Sequence, residues 1–393
     1  MKLSLPTNVT VDDSPDLARD ILNMVITSDV NDYYIGLGQK PFIRRQGFFS
    51  DVKDAPIIDP DKMDAILRFL LKDRDGERDG DELSGIAKAK ASIANRQAYH
   101  FSGTLSSGLD GIARECRYRA ILVNTLNGPE LTVRVLDRNL LSLENLGLQS
   151  NHYEQLVATL KKNKGLILVT GPTGAGKSTT LAAMIQHLID GYPYHVVTLE
   201  DPVEFIFKPR LQENQSAYSM VSQRSVGVDC PTYQHGLLDA LRMKPEVIAI
   251  GEIRDADTMR TVITAAETGH LIIGTMHAST VYQAIDRIVT QAGSDGRIVR
   301  QMLANNLLCV IAQNLLPAAD SNEINPQRVL CYEALFRTKE LARALNNDQI
   351  KPAILDDLIA MGHGITWNQC IDTLTEVGKI HKEDGEALKT FEN

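Results

Sequence analysis

The chain has 393 residues, of which 43% are hydrophobic and 23% are charged, and its formal net charge at pH 7 is −9. This length is too great for one ordinary core and predicts two domains. The acidic balance argues against a protein that coats nucleic acid, so we expect no direct nucleic-acid partner, although a local basic patch is compatible with this charge.

Neither a membrane span nor a secretion signal is expected from the sequence. No apolar run approaches the roughly 18 residues that cross a bilayer, and residues 1–10 lack the apolar segment of a signal peptide. The five cysteines lie far apart and form no C-x-x-C pair. We therefore expect a cytoplasmic protein with reduced cysteines, without a zinc site or a disulfide framework.

The first third of the chain predicts short helices and a mainly antiparallel sheet. Residues 15–30 and 62–71 show apolar residues at helical spacing, and residues 31–49 are typical of two short strands joined by a tight turn. Residues 73–81 are a charged, glycine-punctuated loop. Further strands are expected within residues 93–135.

From residue 152 the pattern changes to helices that alternate with apolar strands, which indicates a parallel sheet flanked by helices. In such sheets ligands lie beyond the carboxyl ends of the strands, so the polar residues that follow each strand are the candidates for chemistry. The strands are expected at 165–170, 195–199, 247–251 and 271–276. The chain after residue 280 is predicted to be mainly helical, most clearly at 281–291, 297–316 and 353–361.

The first of these strands leads into a specific motif. Residues 165–178, GLILVTGPTGAGKS, fit G-x-x-x-x-G-K-[ST] in a strand, turn and helix context. Glycines let consecutive N–H groups point into one concavity, the lysine adds a charge for the outer phosphates, and the serine offers a hydroxyl to magnesium. A chance glycine turn is the alternative, which the flanking strand and helix disfavour. The protein is predicted to bind a nucleoside triphosphate through Gly171, Pro172, Thr173, Gly174, Ala175, Gly176, Lys177, Ser178 and Thr179.

Three other places follow predicted strands of this sheet. Residues 200–204, EDPVE, carry three carboxylates, one of which can polarise an attacking water; a solvated acidic turn is the alternative. Glu252 stands where a Walker B acid orients magnesium, and its long side chain suggests contact through water. His270 and His277 flank a short strand and can report the γ-phosphate by hydrogen bonding, whereas a structural role is the alternative for each.

At these positions the chain resembles a known superfamily. GPTGAGKSTT, TLEDPVEF, ALRMKPEVIAIGEIRDADT and AAETGHLIIGTMHAST are similar in order and separation to the Walker A, Asp box, Walker B and His box of the secretion ATPases that include the PilT pilus-retraction motors. Residues 220–224, MVSQR, and residues 365–369 resemble the DotB and TraJ branch, which serves type IVB secretion and plasmid conjugation. The four-cysteine element of type II secretion ATPases and the retraction motors' AIRNLIREGK-like signature have no clear equivalent.

The resemblance implies an α/β fold with a RecA-like parallel-sheet ATPase domain, a smaller PAS-like α+β N-terminal domain and a helical C-terminal segment. The expected boundaries are 1–139 for the PAS-like domain, 140–149 for a linker, 150–318 for the ATPase domain and 319–393 for the C-terminal segment. It also implies a homohexameric ring that uses ATP and Mg²⁺, with nucleotide between the subunits.

The resemblance further implies a role for single acids and histidines. Glu204, the last acid of the Asp box, corresponds to the base that polarises water, and Glu200 belongs to the expected nucleotide-binding set. Glu252 corresponds to the Walker B glutamate, while His270 and His277 correspond to the two His-box histidines.

Arg134, and less closely Arg119, match arginines that complete the site of the adjacent subunit, a contribution worth roughly 10³–10⁵ in rate. Ser178 and Glu252 are the expected Mg²⁺ residues. The implied function is a hexameric ATPase that powers type IV secretion or conjugative transfer, associated peripherally with an inner-membrane complex at its cytoplasmic face. The alternatives are a type IV pilus retraction motor, a nucleic-acid translocase and a non-catalytic nucleotide-binding scaffold.

Overall fold

A computed structural model of the chain describes residues 32–45, 48–52, 55–72, 82–107, 114–136, 140–208, 219–321, 327–347 and 350–390. The chain divides into two compact units, Met1–Asn139 and Leu140–Asn393. The helix predicted over 15–30 and the loop predicted over 73–81 lie outside the described residues. No helix in the described ranges is both long enough and apolar enough to cross a bilayer.

The N-terminal unit contains an antiparallel sheet, as predicted, and its described residues supply six strands in the order β3-β2-β1-β6-β5-β4. The apolar core lies between one face of this sheet and two helices, and it includes Tyr33, Leu70, Tyr118 and Val133. The strands are β1 (Asp32–Gly36), β2 (Phe42–Arg45), β3 (Phe48–Asp51), β4 (Tyr99–Ser107), β5 (Arg114–Thr125) and β6 (Gly128–Val135), and the helices are α1 (Pro60–Lys72) and α2 (Glu82–Ala94).

The second unit is built on a mixed sheet. Its strands are β7 (Gly165–Thr170), β8 (His195–Glu200), β9 (Met220–Ser225), β10 (Val247–Ile250), β11 (Leu271–Met276), β12 (Leu307–Pro317), β13 (Arg328–Phe336) and β14 (Gly364–Ile365). Their spatial order is β14-β13-β12-β7-β11-β10-β8-β9; the strands from β12 to β9 pair in parallel, and β13 pairs antiparallel with both β12 and β14. The four parallel strands predicted from the sequence are confirmed to within one residue.

Helices cover both faces of this sheet, which explains why its central strands read as continuous apolar runs. Along β7, Leu166 and Leu168 belong to one core, whereas Ile167 and Val169 belong to the core on the opposite face. The helices are α3 (Ser150–Leu160), α4 (Lys177–Gly191), α5 (Tyr233–Arg242), α6 (Ala256–Glu267), α7 (Val281–Gln291), α8 (Gly296–Asn306), α9 (Lys339–Asn346), α10 (Pro352–Leu358), α11 (Trp367–Glu376) and α12 (Lys382–Thr390).

The C-terminal third differs from the sequence prediction. The helix predicted over 297–316 was wrong beyond Asn306, because the apolar residues that follow form β12. A further strand, β13, lies within the segment 319–393 that was predicted as helical, and it pairs with β12 along nine residues. An apolar run that is buried on both sides lacks the alternation that marks a strand, so its periodicity does not distinguish it from a buried helix.

Candidate active site

The loop that follows β7 has a backbone shape that its glycines permit. β7 is buried along its whole length, and α4 begins at Lys177. Gly171, Gly174 and Gly176 have φ angles of 149°, 81° and 82°, which other residues rarely adopt. A Cβ atom at Gly171 would lie 2.2 Å from the carbonyl oxygen of Gln313 on β12. The loop is therefore a close-fitting cradle that rests on the neighbouring strand.

Lys177 is held against this loop. Its Nζ atom donates to the carbonyl oxygens of Gly171 and Pro172, each at 2.8 Å. Burial lowers the pKa of Lys177, and the charge of Glu252 partly raises it again. Ser178, the next residue along α4, is exposed, so its hydroxyl is accessible to a ligand of the loop. These features fit phosphate groups bound at a helix N-terminus.

Glu252 follows β10, and its two carboxylate oxygens contact different partners. Oε2 lies 2.7 Å from Nη2 of Arg254, and Oε1 lies 3.0 Å from Nε2 of His277, the residue after β11. Burial is the largest influence and raises the pKa of Glu252. The hydrogen bond and charge of Arg254, with the charges of His277 and Lys177, outweigh it and hold that pKa below its usual range. Glu252 and the phosphate loop therefore belong to one site.

Arg254 links this acid to the Asp box. Its Nη1 atom lies 3.9 Å from Oδ2 of Asp201, and its side chain is 58% exposed. The hydrogen bond to Glu252 is the main cause that raises the pKa of Arg254. One partly exposed guanidinium thus lies between the Walker B and Asp-box carboxylates.

The turn over 200–204 is organised by Glu200. Its carboxylate accepts hydrogen bonds from the Thr198 hydroxyl at 2.6 Å, the Gln223 amide at 3.3 Å and the backbone N–H of Glu204 at 3.3 Å. Burial raises the pKa of Glu200. Gln223 also donates to the carbonyl oxygen of Phe205 at 2.7 Å. Glu200 therefore fixes the turn that carries Glu204. The binding of nucleotide by Glu200 and the action of Glu204 as a base stay predictions.

The structure separates the two histidines that were predicted to report the γ-phosphate. His277 lies at the carboxyl end of β11, whereas His270 lies at its amino end, where Nδ1 is 3.2 Å from the carbonyl oxygen of Ala265. The strand between them places the two residues about 20 Å apart. Within one chain, only His277 is brought to the phosphate loop, and the role of His270 stays a prediction.

Arg119 and Arg134, predicted to act on a neighbouring subunit, are cross-strand neighbours in the N-terminal sheet. The register pairs Arg119 on β5 with Arg134 on β6, and pairs Arg134 with Asp32 on β1. Both arginines are exposed, and Nη2 of Arg134 donates to Oδ2 of Asp32 at 3.0 Å. The three residues form a charged row on this unit in which both arginines are exposed and the Asp32 side chain is mostly buried. Contact with a nucleotide stays a prediction.

Sequence reasoning missed three residues of the site. Arg254 and Gln313 contact the groups described above, and buried Tyr233 lies beside Gly251, where a Cβ atom would be 3.4 Å from its hydroxyl. Burial and nearby carboxylates raise the pKa of Tyr233 well above its ordinary value. A signal existed for Gln313 alone, because a single glutamine within an apolar run requires a hydrogen-bond partner.

A family model described as "Type II/IV secretion system protein" matches residues 108–352. The chain belongs to this family. This member of the Type II/IV secretion family is 30% identical to the type IV pilus retraction ATPase PilT of Pseudomonas aeruginosa over 381 residues, which cover 95% of this chain and 98% of that relative. It is 36% identical to the twitching motility protein of Neisseria gonorrhoeae over 271 residues, 68% of each chain.

Solved structures support the same assignment. The PilT retraction motor with bound ADP has a TM-score of 0.76 and 30% identity, and the match covers 93% of this chain and 94% of that one. The Legionella pneumophila ATPase DotB also has a TM-score of 0.76, at 21% identity, with 99% and 100% covered. The predicted α/β fold and the PilT-like superfamily are thus confirmed, and the fold is shared with DotB over the whole chain. The chain is therefore a member of the family of secretion and pilus traffic ATPases.

Proposed function

We propose that the protein assembles as a homohexamer and hydrolyses ATP with Mg²⁺ to power a type IV secretion or conjugative transfer machine at the cytoplasmic face of the inner membrane. One observation carries the proposal: Lys177, Glu252 and His277 meet at the carboxyl ends of parallel strands in one sheet. The carboxyl edge is where α/β sheets bind ligands, and a cation, an acid and a histidine there suit phosphoryl transfer.

The chain's own residues divide this work between binding and proton transfer. The N–H groups of the phosphate loop and Lys177 bind anionic oxygens, and Ser178 and Glu252 are the residues that would hold Mg²⁺, which usually takes few protein ligands. Glu204 accepts the proton of the attacking water. When bound, MgATP supplies the phosphoanhydride bond that is broken. Because such catalysis is mostly positioning and electrostatic stabilisation, the fixed turn around Glu200 supports this role.

In the proposed hexamer, nucleotide lies between neighbouring subunits. Within the row of Asp32, Arg134 and Arg119, the two exposed arginines offer guanidinium groups that a neighbouring copy of the chain can use. The chain's net charge of −9 argues against direct nucleic-acid binding, so the proposed partners are copies of this chain and proteins of an inner-membrane complex. Stimulation of hydrolysis by DNA at physiological salt would instead favour a translocase.

A second candidate, retraction of a type IV pilus, is favoured by a specific observation. The relatives with the identities given above are a pilus retraction ATPase and a twitching motility protein. This candidate shares the chemistry and differs in the machine. Affinity purification of the Glu204→Gln variant from cells that make the protein separates the two, because secretion-channel components support the first and pilus-platform components support the second.

The proposed activity is tested by the rate of Mg²⁺-ATP hydrolysis per protomer over a range of protein concentrations. We expect a steep rise with concentration for the wild type, no nucleotide binding for Lys177→Ala, and ATP binding without turnover for Glu204→Gln. A rate per protomer that is flat and persists in Glu204→Gln would reject both the ring and the assignment of the site.

A further inference from the structure

Gln313 is a buried glutamine on β12, the strand next to β7. Its Nε2 atom donates to the carbonyl oxygen of Ala175 at 2.7 Å, and its Oε1 atom accepts from the hydroxyl of Thr180 at 2.9 Å. Ala175 belongs to the phosphate loop and Thr180 to the first turn of α4. A side chain from the C-terminal third is thus bonded to both parts of the nucleotide motif.

The backbone of Gln313 meets the same loop at its other end. In the register of β12 and β7, Ala312 pairs with Thr170, so Gln313 lies beside Gly171. A Cβ atom at Gly171 would be 2.2 Å from the carbonyl oxygen of Gln313, and one at Gly176 would be 3.3 Å from its Nε2 atom. Gln313 therefore packs against the phosphate loop from Gly171 to Gly176.

The bond to Ala175 determines where the next N–H group points. In a planar trans peptide the C=O and N–H groups point in opposite directions. Because the carbonyl of Ala175 points towards buried Gln313, the N–H of Gly176 points away from Gln313. Backbone N–H groups that point outward in this way are what a phosphate-binding loop presents to an anion.

We propose that Gln313 is a positioning residue for nucleotide binding, which holds the Ala175–Gly176 peptide so that the Gly176 N–H faces the phosphates. Thr180 holds the Gln313 side chain in this orientation. A hydroxyl that donates to Oε1 fixes the orientation of the amide and leaves Nε2 directed at Ala175. This inference rests on the proposed nucleotide site.

Three substitutions isolate the two hydrogen bonds. Gln313→Met keeps the length of the side chain and removes both bonds. Thr180→Val keeps the shape and removes the hydroxyl, whereas Thr180→Ser keeps the hydroxyl. Asn306→Leu is the matched control, because Asn306 is also buried, immediately precedes β12 and donates to the carbonyl oxygen of Met302 at 2.9 Å, away from the loop.

The test measures Mg²⁺-ADP affinity, the KM and kcat of ATP hydrolysis and the melting temperature of the full-length protein. We expect Gln313→Met and Thr180→Val each to weaken ADP binding about tenfold, the effect of losing one to two hydrogen bonds. KM should rise in proportion with a smaller change in kcat, and the double variant should be no worse than Gln313→Met, since both residues serve one bond. Thr180→Ser should bind normally, and Asn306→Leu should melt earlier without losing affinity.

Unchanged ADP affinity in folded Gln313→Met would overturn the inference, and so would equal losses in Thr180→Ser and Thr180→Val. If Gln313→Met does not fold, the ADP affinities of Thr180→Ser and Thr180→Val test the inference. If the wild type itself binds no Mg²⁺-ADP, the proposed function fails together with this inference. If the wild type and the variants all bind with the same affinity, only the role of Gln313 is rejected.

Discussion

The Nε2 atom of His277 lies 3.0 Å from Oε1 of Glu252, while Arg254 contacts the other oxygen of the same carboxylate at 2.7 Å. Two strand ends thus supply groups that stabilise the charged form of Glu252 against its burial. A carboxylate that stays ionised in acid keeps its oxygens available as acceptors for the water shell of a metal ion.

The first prediction concerns the pH dependence of hydrolysis. Since the pKa of Glu252 is depressed, its carboxylate is fully ionised above the ordinary pKa of a glutamate. It is protonated, and its contribution to hydrolysis is lost, as the pH falls through the lower pKa of the folded protein. Arg254→Gln removes the strongest opposing group, so the acid limb of the pH–rate profile should move to higher pH. Arg260→Gln, an arginine of α6 that pairs with Asp257 and Asp295, is the control. An acid limb that does not move in Arg254→Gln would exclude Glu252 as the titrating group.

A second prediction compares two glycines of the phosphate loop. At Gly174 nothing lies within 4 Å of an added Cβ atom, so Gly174→Ala should cost only the left-handed backbone, about 1–2 kcal/mol. Gly171→Ala adds a clash with the backbone of β12 and should lower the free energy of unfolding by more than about 4 kcal/mol. Urea denaturation measures both. Equal losses of unfolding free energy in the two variants would mean that the backbone of β12 is not in close contact with the loop at Gly171.

The third prediction tests whether an arginine acts across a subunit boundary. Arg134→Ala should lower the ATPase rate by roughly 10³-fold or more, and Glu204→Gln should abolish turnover. Mixing the two inactive proteins should restore part of the rate, because a junction can then combine intact Glu204 from one subunit with intact Arg134 from the next. Arg119→Ala is tested in the same way.

The control for this experiment is Arg68→Ala, an exposed arginine on α1 of the same unit, outside the charged row. We expect it to keep the wild-type rate alone and in mixtures. If mixing restores nothing while the wild type forms rings, Arg134 and Glu204 belong to the same subunit's site.

A fourth prediction concerns stability in mild acid. His152 is buried, with Nδ1 2.9 Å from the hydroxyl of Tyr332 and Nε2 3.2 Å from the carbonyl oxygen of Gly364, and burial lowers its pKa. Below about pH 6.5 the unfolded chain takes up a proton that the folded chain does not, so the free energy of unfolding should fall as the pH decreases, by at most ~1.4 kcal/mol per pH unit.

The His152→Gln variant should show a flatter dependence of unfolding free energy on pH, measured by denaturant unfolding between pH 5 and 7. Part of the slope should remain, because burial also lowers the pKa of His187. His381→Gln, at an exposed position, is the control. An unchanged slope in His152→Gln would show that His152 is not protonated on unfolding in this range.

The sequence predicted the centre of the sheet well because glycine and apolar signals agree there. Apolar runs at β7, β8, β10 and β11 are each followed by polar residues, and the motif at Lys177 determines which ends carry the ligand. The acid–histidine pair of Glu252 and His277 was predicted as two separate candidates. Their contact was not, because pairing of side chains on different strands depends on strand order, which spacing along one chain does not give.

The parts that were not predicted share a physical cause. Leu307–Pro317 is apolar on both faces, so its sequence fits a buried helix as well as a strand. Once that segment is read as a helix, Gln313 has no neighbour to suggest its bond to Ala175. Arg254 is similar, because an exposed arginine is usually solvated and only its distance to Glu252 distinguishes it.

The place of β12 between β7 and β13 has a consequence for the newborn chain. Both hydrogen-bonded neighbours of the strand that carries the phosphate loop lie far later in the sequence, and β12 is the later of the two. During synthesis the loop therefore leaves the ribosome on the order of ten seconds before Leu307–Pro317 is available, at typical elongation rates. Until then one edge of β7 is unpaired, and an open apolar edge is a template for aggregation. A stalled or shortened chain thus carries the complete nucleotide motif without a completed nucleotide site.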